Sequence, residues 1–333
     1  MLYDAHNHLQ DAQLAPHRSQ ILADLAALPL RAAVVNGTCE ADWPEVTALC
    51  APNDQRSTLH SSSRHGAAGA AVDQLKFLPS YGLHPWHVGN AGPHWRDTLR
   101  RTLDATPHAA IGEIGLDRWI LHRARPDDAR LAGLRRAPFV EQQEAFTWQL
   151  ALAAERNLPV TIHGLDAWSP LLEVLRATPR PARGFLLHAY SGSAELAREF
   201  AALGAYFSFN GSFLSSTQCH VIRDNSPPLT QGPTNPCHVI RDITRGAQQR
   251  EVFRRLPLDR LLAETDAPAM PPPPEHRAYS LPGLAGDPIL NHPANIGAIY
   301  AGLATLRGLD LAVLPRQVEE NFHRLFSKSC DAC

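Results

Sequence analysis

The chain has 333 residues, a formal net charge of −2 and 44% hydrophobic residues. That length can bury a large core and leaves one large domain or two ordinary ones open. The near-neutral balance excludes capture of nucleic acid or an anionic membrane by the field of the whole molecule, so any polyanion must be held by a local cluster.

The start, Met1-Leu2-Tyr3-Asp4, carries no basic and apolar leader, and no apolar run reaches about 18 residues. A cytoplasmic protein without a membrane helix is therefore expected. The first apolar β-type run, Leu2–His6, carries Asp4-Ala5-His6-Asn7-His8. Seven more runs follow: Ala32–Asn36, Phe77–Gly82, Ala109–Glu113, Pro159–His163, Gly184–His188, Ala205–Phe209 and Arg260–Glu264. Between them, Glu141–Arg156, Ser193–Leu203 and Asn295–Leu306 show the apolar spacing of helices packed on one face. Alternation of strand and helix implies parallel strands with right-handed crossovers. Eight strands predict a (β/α)8 barrel, residues 1–328, with an open doubly wound sheet as the alternative. Closure is favoured because the candidate ligands fall at or just after the ends of the first, fourth, fifth, sixth and eighth runs. Only a closed barrel brings the first and last together.

Three stretches interrupt the pattern. Ala51–Ala71 is rich in Ser, Gly and Ala and reads as a surface loop, and Pro268–Pro293 is a proline-rich extended loop after the last strand. Cys219-His220-Val221-Ile222-Arg223-Asp224 recurs eighteen residues on as Cys237–Asp242, which marks an insertion at about 215–245. Two Cys-His pairs form a zinc site on paper, but adjacent Cys and His is not a usual zinc spacing, and a duplicated loop is the preferred reading. The cysteines are not spaced as a disulfide framework. Residues 329–333 form a short tail, whose Cys330-Asp331-Ala332-Cys333 offers two ligands at most.

His6 and His8, two apart on a strand, point to one face. Glu113 sits between Gly112 and Gly115, where a buried carboxylate is costly unless paired or bound to metal. His163, His188 and Asp266 complete a set of four imidazoles and two carboxylates, enough for two divalent ions with Glu113 as bridge. The mixed nitrogen and oxygen set leaves Mg, Mn and Zn open. Only Lys76 and Lys328 are present and neither lies near a ligand segment, so a carboxylated lysine bridge is not expected. Two ions about 3.5–4 Å apart activate a water and stabilise the entering and leaving oxygens of a displacement. Asp266 is the candidate general base.

These residues resemble the TatD-like metal-dependent hydrolases, the TatD-related deoxyribonucleases of the amidohydrolase superfamily. The matching motifs are Asp4–His8, Tyr81-Gly82-Leu83-His84-Pro85, Gly112–Asp117, Ile162-His163, His188-Ala189-Tyr190-Ser191-Gly192, Leu262–Pro268, Pro293–Ile296 and Asn321–Phe326, in the family's order over nearly the whole chain. The resemblance implies a TIM barrel in which His6, His8 and Asp266 hold one ion, Glu113 bridges, and His163 and His188 hold the second. His84 would line the substrate pocket. It also implies metal-dependent deoxyribonuclease activity, often exonucleolytic, with DNA as substrate. No obligate protein partner is inferred. The chain departs from the family in the repeated Cys219–Asp242 segment and the long Ala51–Ala71 loop, which leaves substrate preference open.

A phosphodiesterase needs cations near the phosphate, and Arg118, Arg123 and Arg125 follow Glu113 closely. Trp86, Trp119 and Tyr190 offer rings on which an unpaired base can stack. A hydrolase of a non-nucleic-acid ester, amide or lactone on the same metals is the alternative. A non-catalytic scaffold is disfavoured by the full ligand set.

Overall fold

In the computed structural model, residues 1–51, 75–214, 248–282 and 289–327 are described. The expected loop at 51–71 apart from its first residue, the repeat at 219–242, Lys328 and the tail at 329–333 lie outside them. Eight strands form one parallel sheet in sequence order: β1 (Leu2–Asn7), β2 (Leu30–Asn36), β3 (Lys76–Tyr81), β4 (Ala110–Asp117), β5 (Val160–Leu165), β6 (Phe185–Leu187), β7 (Ala205–Phe209) and β8 (Leu261–Ala263). The chain just past β8 closes the circle: Asp266 N–H donates to His6 O at 2.9 Å and His8 N–H to Ala267 O at 2.8 Å. The fold is a TIM barrel, as expected from the alternating pattern.

Helices fill the crossovers: α1 (Arg18–Ala26), α2 (Trp43–Cys50), α3 (Trp95–Ala105), the single turn α4 (Trp119–His122), α5 (Phe139–Arg156), α6 (Trp168–Ala177), α7 (Ala194–Ala202), α8 (248–255), α9 (Ile296–Arg307) and α10 (Leu314–Phe326). Val34, Val35, Ile111, Ile162, Phe207 and Leu262 are fully buried, as strands of a parallel sheet covered on both faces require. The 18-residue α5 ends on Asn157 in a left-handed conformation, and α9 on Gly308 likewise.

The last two helices brace the seam where β8 meets β1. Tyr300 of α9 donates its hydroxyl to Tyr3 O and accepts from Tyr3 N–H, both at 3.0 Å. Asn321 of α10 donates to Leu258 O and Leu261 O at 2.9 and 2.8 Å, and Phe322 packs on Tyr3 with ring centres 4.7 Å apart. The loop after β8 is pinned in the same way: the Asn291 amide donates to Thr265 O at 2.7 Å, and Asn295 Oδ1 accepts from Ala278 and Tyr279 N–H.

One boundary differs from expectation. β4 does not end at Glu113 but continues to Asp117, which puts Glu113 in mid-strand. The reason is pairing. Ile111 faces Val160 and Ile114 faces Ile162, so β4 carries one extra residue at Gly112–Glu113 and then runs in register with β5 to Asp117↔Leu165. Gly115, at φ +150°, permits this. A Cβ there would meet His163 O at 2.0 Å, so only glycine lets β4 approach β5 beside His163.

Candidate metal centre

The C-terminal rim of the barrel gathers the six predicted ligands. His6 comes from within β1 and His8 from just past it, Glu113 from the bulge of β4, His163 from β5, His188 from just past β6, and Asp266 from the turn after β8. The bulge is held from two sides, since Glu113 N–H donates to Gly37 O at 2.8 Å and Ser80 Oγ to Gly112 O at 3.0 Å. A Cβ on Gly82 would strike Glu113 O at 2.7 Å.

Glu113 is 3% exposed, and its two oxygens face different partners. Oε2 lies 3.2 Å from His8 Nε2 and 3.6 Å from His6 Nε2. Oε1 lies 2.7 Å from His188 Nε2, 2.9 Å from His163 Nδ1 and 3.4 Å from His84 Nε2. Asp266 Oδ1 sits 3.5 Å from His6 Nε2 and 3.6 Å from His8 Nε2, which are themselves 3.1 Å apart. Among the described residues, no lysine or arginine pairs with Glu113 or Asp266. The donor set fits a divalent cation: imidazole nitrogens and carboxylate oxygens converge from several strands with their lone pairs facing one another. His6, His8 and Glu113 can place three ligand atoms within 4.8 Å of one another, and so can His84, Glu113 and His163.

Hydrogen bonds fix several rings. His8 Nδ1 lies 2.7 Å from Asn36 O and donates there, leaving Nε2 free of its proton in the neutral ring. His84 Nδ1 accepts from Trp86 N–H at 3.2 Å, so its Nε2 carries the proton toward Glu113. His163 presents Nδ1 to Glu113, while its Nε2 lies 3.1 Å from Asp117 Oδ2. His6 Nδ1 and His188 Nδ1 are buried without a hydrogen-bond partner.

The electrostatics follow from this packing. Burial opposes ionisation of Glu113, but facing His188, His84 and His163 outweigh it and hold the carboxyl well below its ordinary range. Asp266 is also depressed, as the imidazoles of His6, His188 and His8 overcome burial. His6 is raised well above its ordinary value because Asp266 and Glu113 overcome the burial penalty. His163 is raised to about 10 against burial by Asp117 and Glu113. His84 goes the other way: burial drives it down to about 4. Burial and the facing carboxylates thus pull the histidines of one cluster in opposite directions, a pattern that clusters at functional sites.

The predicted substrate contacts divide. His84 is at the cluster, its ring 4.5 Å from that of His163. The Arg118 guanidinium lies over the Phe139 ring at 4.4 Å. Arg123 is exposed and pairs with Asp166 at 3.3 Å. Tyr190 is core, donating to Ser193 O and packed on Trp168 and Phe207. Trp86 and Trp119 stack on each other at 5.9 Å, with Arg130 above both.

Three buried acids at the site were not singled out from sequence. Asp117 backs His163. Glu264 accepts from Ala189 N–H and Ser208 and approaches His188 Nδ1 to 3.9 Å. Asp4 accepts from Thr265 N–H and Oγ1 at 2.9 and 2.6 Å. Burial raises Glu264, and raises Asp4 to about 6. Their only sequence signal was position, since each shares a motif with a ligand.

The family model described as TatD related DNase matches residues 3–228 and 238–327. The chain belongs to the TatD related DNase family. The gap at 229–237 takes in most of the spacer between the two copies of the repeat and Cys237, the first residue of the second copy. Among TatD-like relatives, the uncharacterized metal-dependent hydrolase YabD of Bacillus subtilis is 26% identical over 330 residues, covering 98% of this chain and 99% of its own. The 3'-5' ssDNA/RNA exonuclease TatD of Cronobacter sakazakii is 31% identical over 255 residues, covering 73% of this chain and 78% of its own. The crystal structure of the TatD homologue YJJV from Escherichia coli superposes with a TM-score of 0.68 at 24% identity, over 98% of each chain, which supports the TatD-type barrel. No described helix is long and apolar enough to cross a membrane.

Proposed function

We propose that this single-domain barrel is a divalent-metal-dependent phosphodiesterase that shortens single-stranded DNA. The observation that carries the reading is the division of Glu113. One oxygen faces His6 and His8 with Asp266 beside them; the other faces His163 and His188. A carboxylate shared in this way suits two ions, one held by His6, His8 and Asp266 and the other by His163 and His188, with Glu113 bridging. When bound, Mg, Mn or Zn would lower the pKa of a water and neutralise charge on the phosphate. Asp266, ionised and at the rim, is placed to take the proton from the attacking water. His84, kept neutral with its Nε2 proton facing the site, is placed to donate a hydrogen bond to a phosphate oxygen. The names of the relatives support nucleic acid as the substrate class.

The experiment is cleavage of end-labelled single-stranded DNA by metal-stripped protein, with Mg²⁺, Mn²⁺ or Zn²⁺ restored and Asp266→Asn as control. Metal-dependent shortening that the variant loses is expected. No shortening with any ion would sink the nuclease reading.

One observation favours a second reading, hydrolysis of a non-nucleic-acid ester, amide or lactone. Arg118 stacks on Phe139 and Arg123 pairs with Asp166, neither of which is one of the six candidate ligands. Turnover of such substrates by the same reconstituted protein, with DNA left intact, would select it.

A further inference from the structure

We propose that Asp117 is a positioning residue that fixes the proton of His163 on Nε2 and so leaves Nδ1 as the metal-facing lone pair. The proposal rests on the metal-centre reading above and extends it to a residue that would bind no metal itself.

The geometry begins in β4. Glu113, Gly115 and Asp117 alternate onto one face of the strand. Gly115 lies against the backbone of His163, so the carboxylates on either side of it flank the imidazole. Glu113 Oε1 stands 2.9 Å from Nδ1 and Asp117 Oδ2 stands 3.1 Å from Nε2. The ring therefore has two inequivalent ends, and only the Nδ1 end points at the other ligands, 3.3 Å from His188 Nε2.

Asp117 is itself fully buried and held in place. Its Oδ2 accepts from Trp86 Nε1 at 2.6 Å, and its Oδ1 accepts from Ile120 N–H at 2.9 Å. Its own N–H donates to Gln142 Oε1 of α5 at 2.9 Å. An ionised carboxylate has no hydrogen to give, so Asp117 can only accept from His163, and Nε2 must carry the hydrogen. Once an ion displaces the Nδ1 proton, an imidazole so held keeps one tautomer, with greater basicity at that nitrogen. An asparagine here could turn its amide toward Nε2, make that nitrogen the acceptor and move the hydrogen to Nδ1, where it would block ligation.

The test is Mn²⁺ and Zn²⁺ affinity of the full chain, measured by chelator competition on Asp117→Asn, Trp86→Phe and His163→Gln. Apo-protein thermal unfolding reports folding separately. Asp117→Asn should weaken one of the two ions by about 10–100-fold and leave the other within about threefold, the range for loss of a ligand's hydrogen-bond partner. Trp86→Phe removes a bond to Asp117 without changing the tautomer, so it should lower the unfolding temperature and leave both affinities within about threefold. The double variant Asp117→Asn/His163→Gln should bind no more weakly than His163→Gln alone, because both changes act through one ring. Two wild-type affinities in Asp117→Asn, or equal weakening in Asp117→Asn and Trp86→Phe, would overturn the proposal and make Asp117 a packing residue. Wild-type protein that takes up no divalent ion would instead defeat the metal-centre reading itself.

Discussion

The two halves of the cluster are built by different means. His6, His8 and Asp266 lie at the barrel seam, where backbone bonds set their places: Asp266 N–H to His6 O, His8 N–H to Ala267 O, and the His8 ring on Asn36 O. His163 and His188 come from the middle of the sheet and lean on side chains, with Asp117 behind one and Glu264 near the other. The first half is fixed by closing the fold. The second depends on buried carboxylates and is open to tuning by single substitutions. Glu113 belongs to both.

The widest break of this comparison is therefore Glu113→Ala. It should empty both halves and lower turnover by at least about 10³-fold, a loss of about 4 kcal/mol of transition-state stabilisation. Metal counted per folded chain checks it; two retained ions would end the bridging role. Asp266→Asn confines the damage to the seam half. Turnover should fall by about 10²–10⁴-fold, the range for loss of a general base, with the fold kept and the His163 half still loaded.

A pH series probes the ion pairs of the cluster without mutation, with His6 of the seam half raised as well as His163. Folded His163 has its pKa raised to about 10 from 6.5, so its ion pairs stabilise the metal-free fold fully below about 6.5. That contribution is lost as pH rises toward 10. Metal-free protein should therefore lose stability over this window in urea titrations, and His163→Gln should reduce the loss, with His6 carrying the remainder. Metal binding should move oppositely, strengthening as pH rises, because the ion competes with protons for imidazole. The smallest expected effect is at the seam brace. Tyr300→Phe leaves Tyr3 N–H without its acceptor and should cost about 1–3 kcal/mol of stability, read as a lower urea midpoint, with metal affinity unchanged.

Much of this was legible in the chain. Eight apolar runs gave eight strands, and the spacing of His6 and His8 placed two imidazoles on one face. Other features were not, for physical reasons. The length of β4 is set by its pairing with β5 around Gly115, and no local pattern records an extra residue in one strand. Asp117 and His163 are far apart in sequence, so their bond is a product of register alone. Arg118 and Arg123 come soon after Glu113 in the chain, and the fold supplies one with a ring and the other with a carboxylate as a neighbour. Sequence shows where charges lie along the chain but not which neighbour the fold offers each.

Closure of the barrel has a consequence in time. One half of the cluster joins residues 6 and 8 to residue 266, among the first and last parts of the barrel to leave a ribosome. A nascent or truncated chain lacking β8 has Glu113, His163 and His188 but cannot assemble the seam half. On the proposed function, hydrolytic competence would then wait for β8 and the turn that carries Asp266, and a product ended before them would lack the seam half of the site.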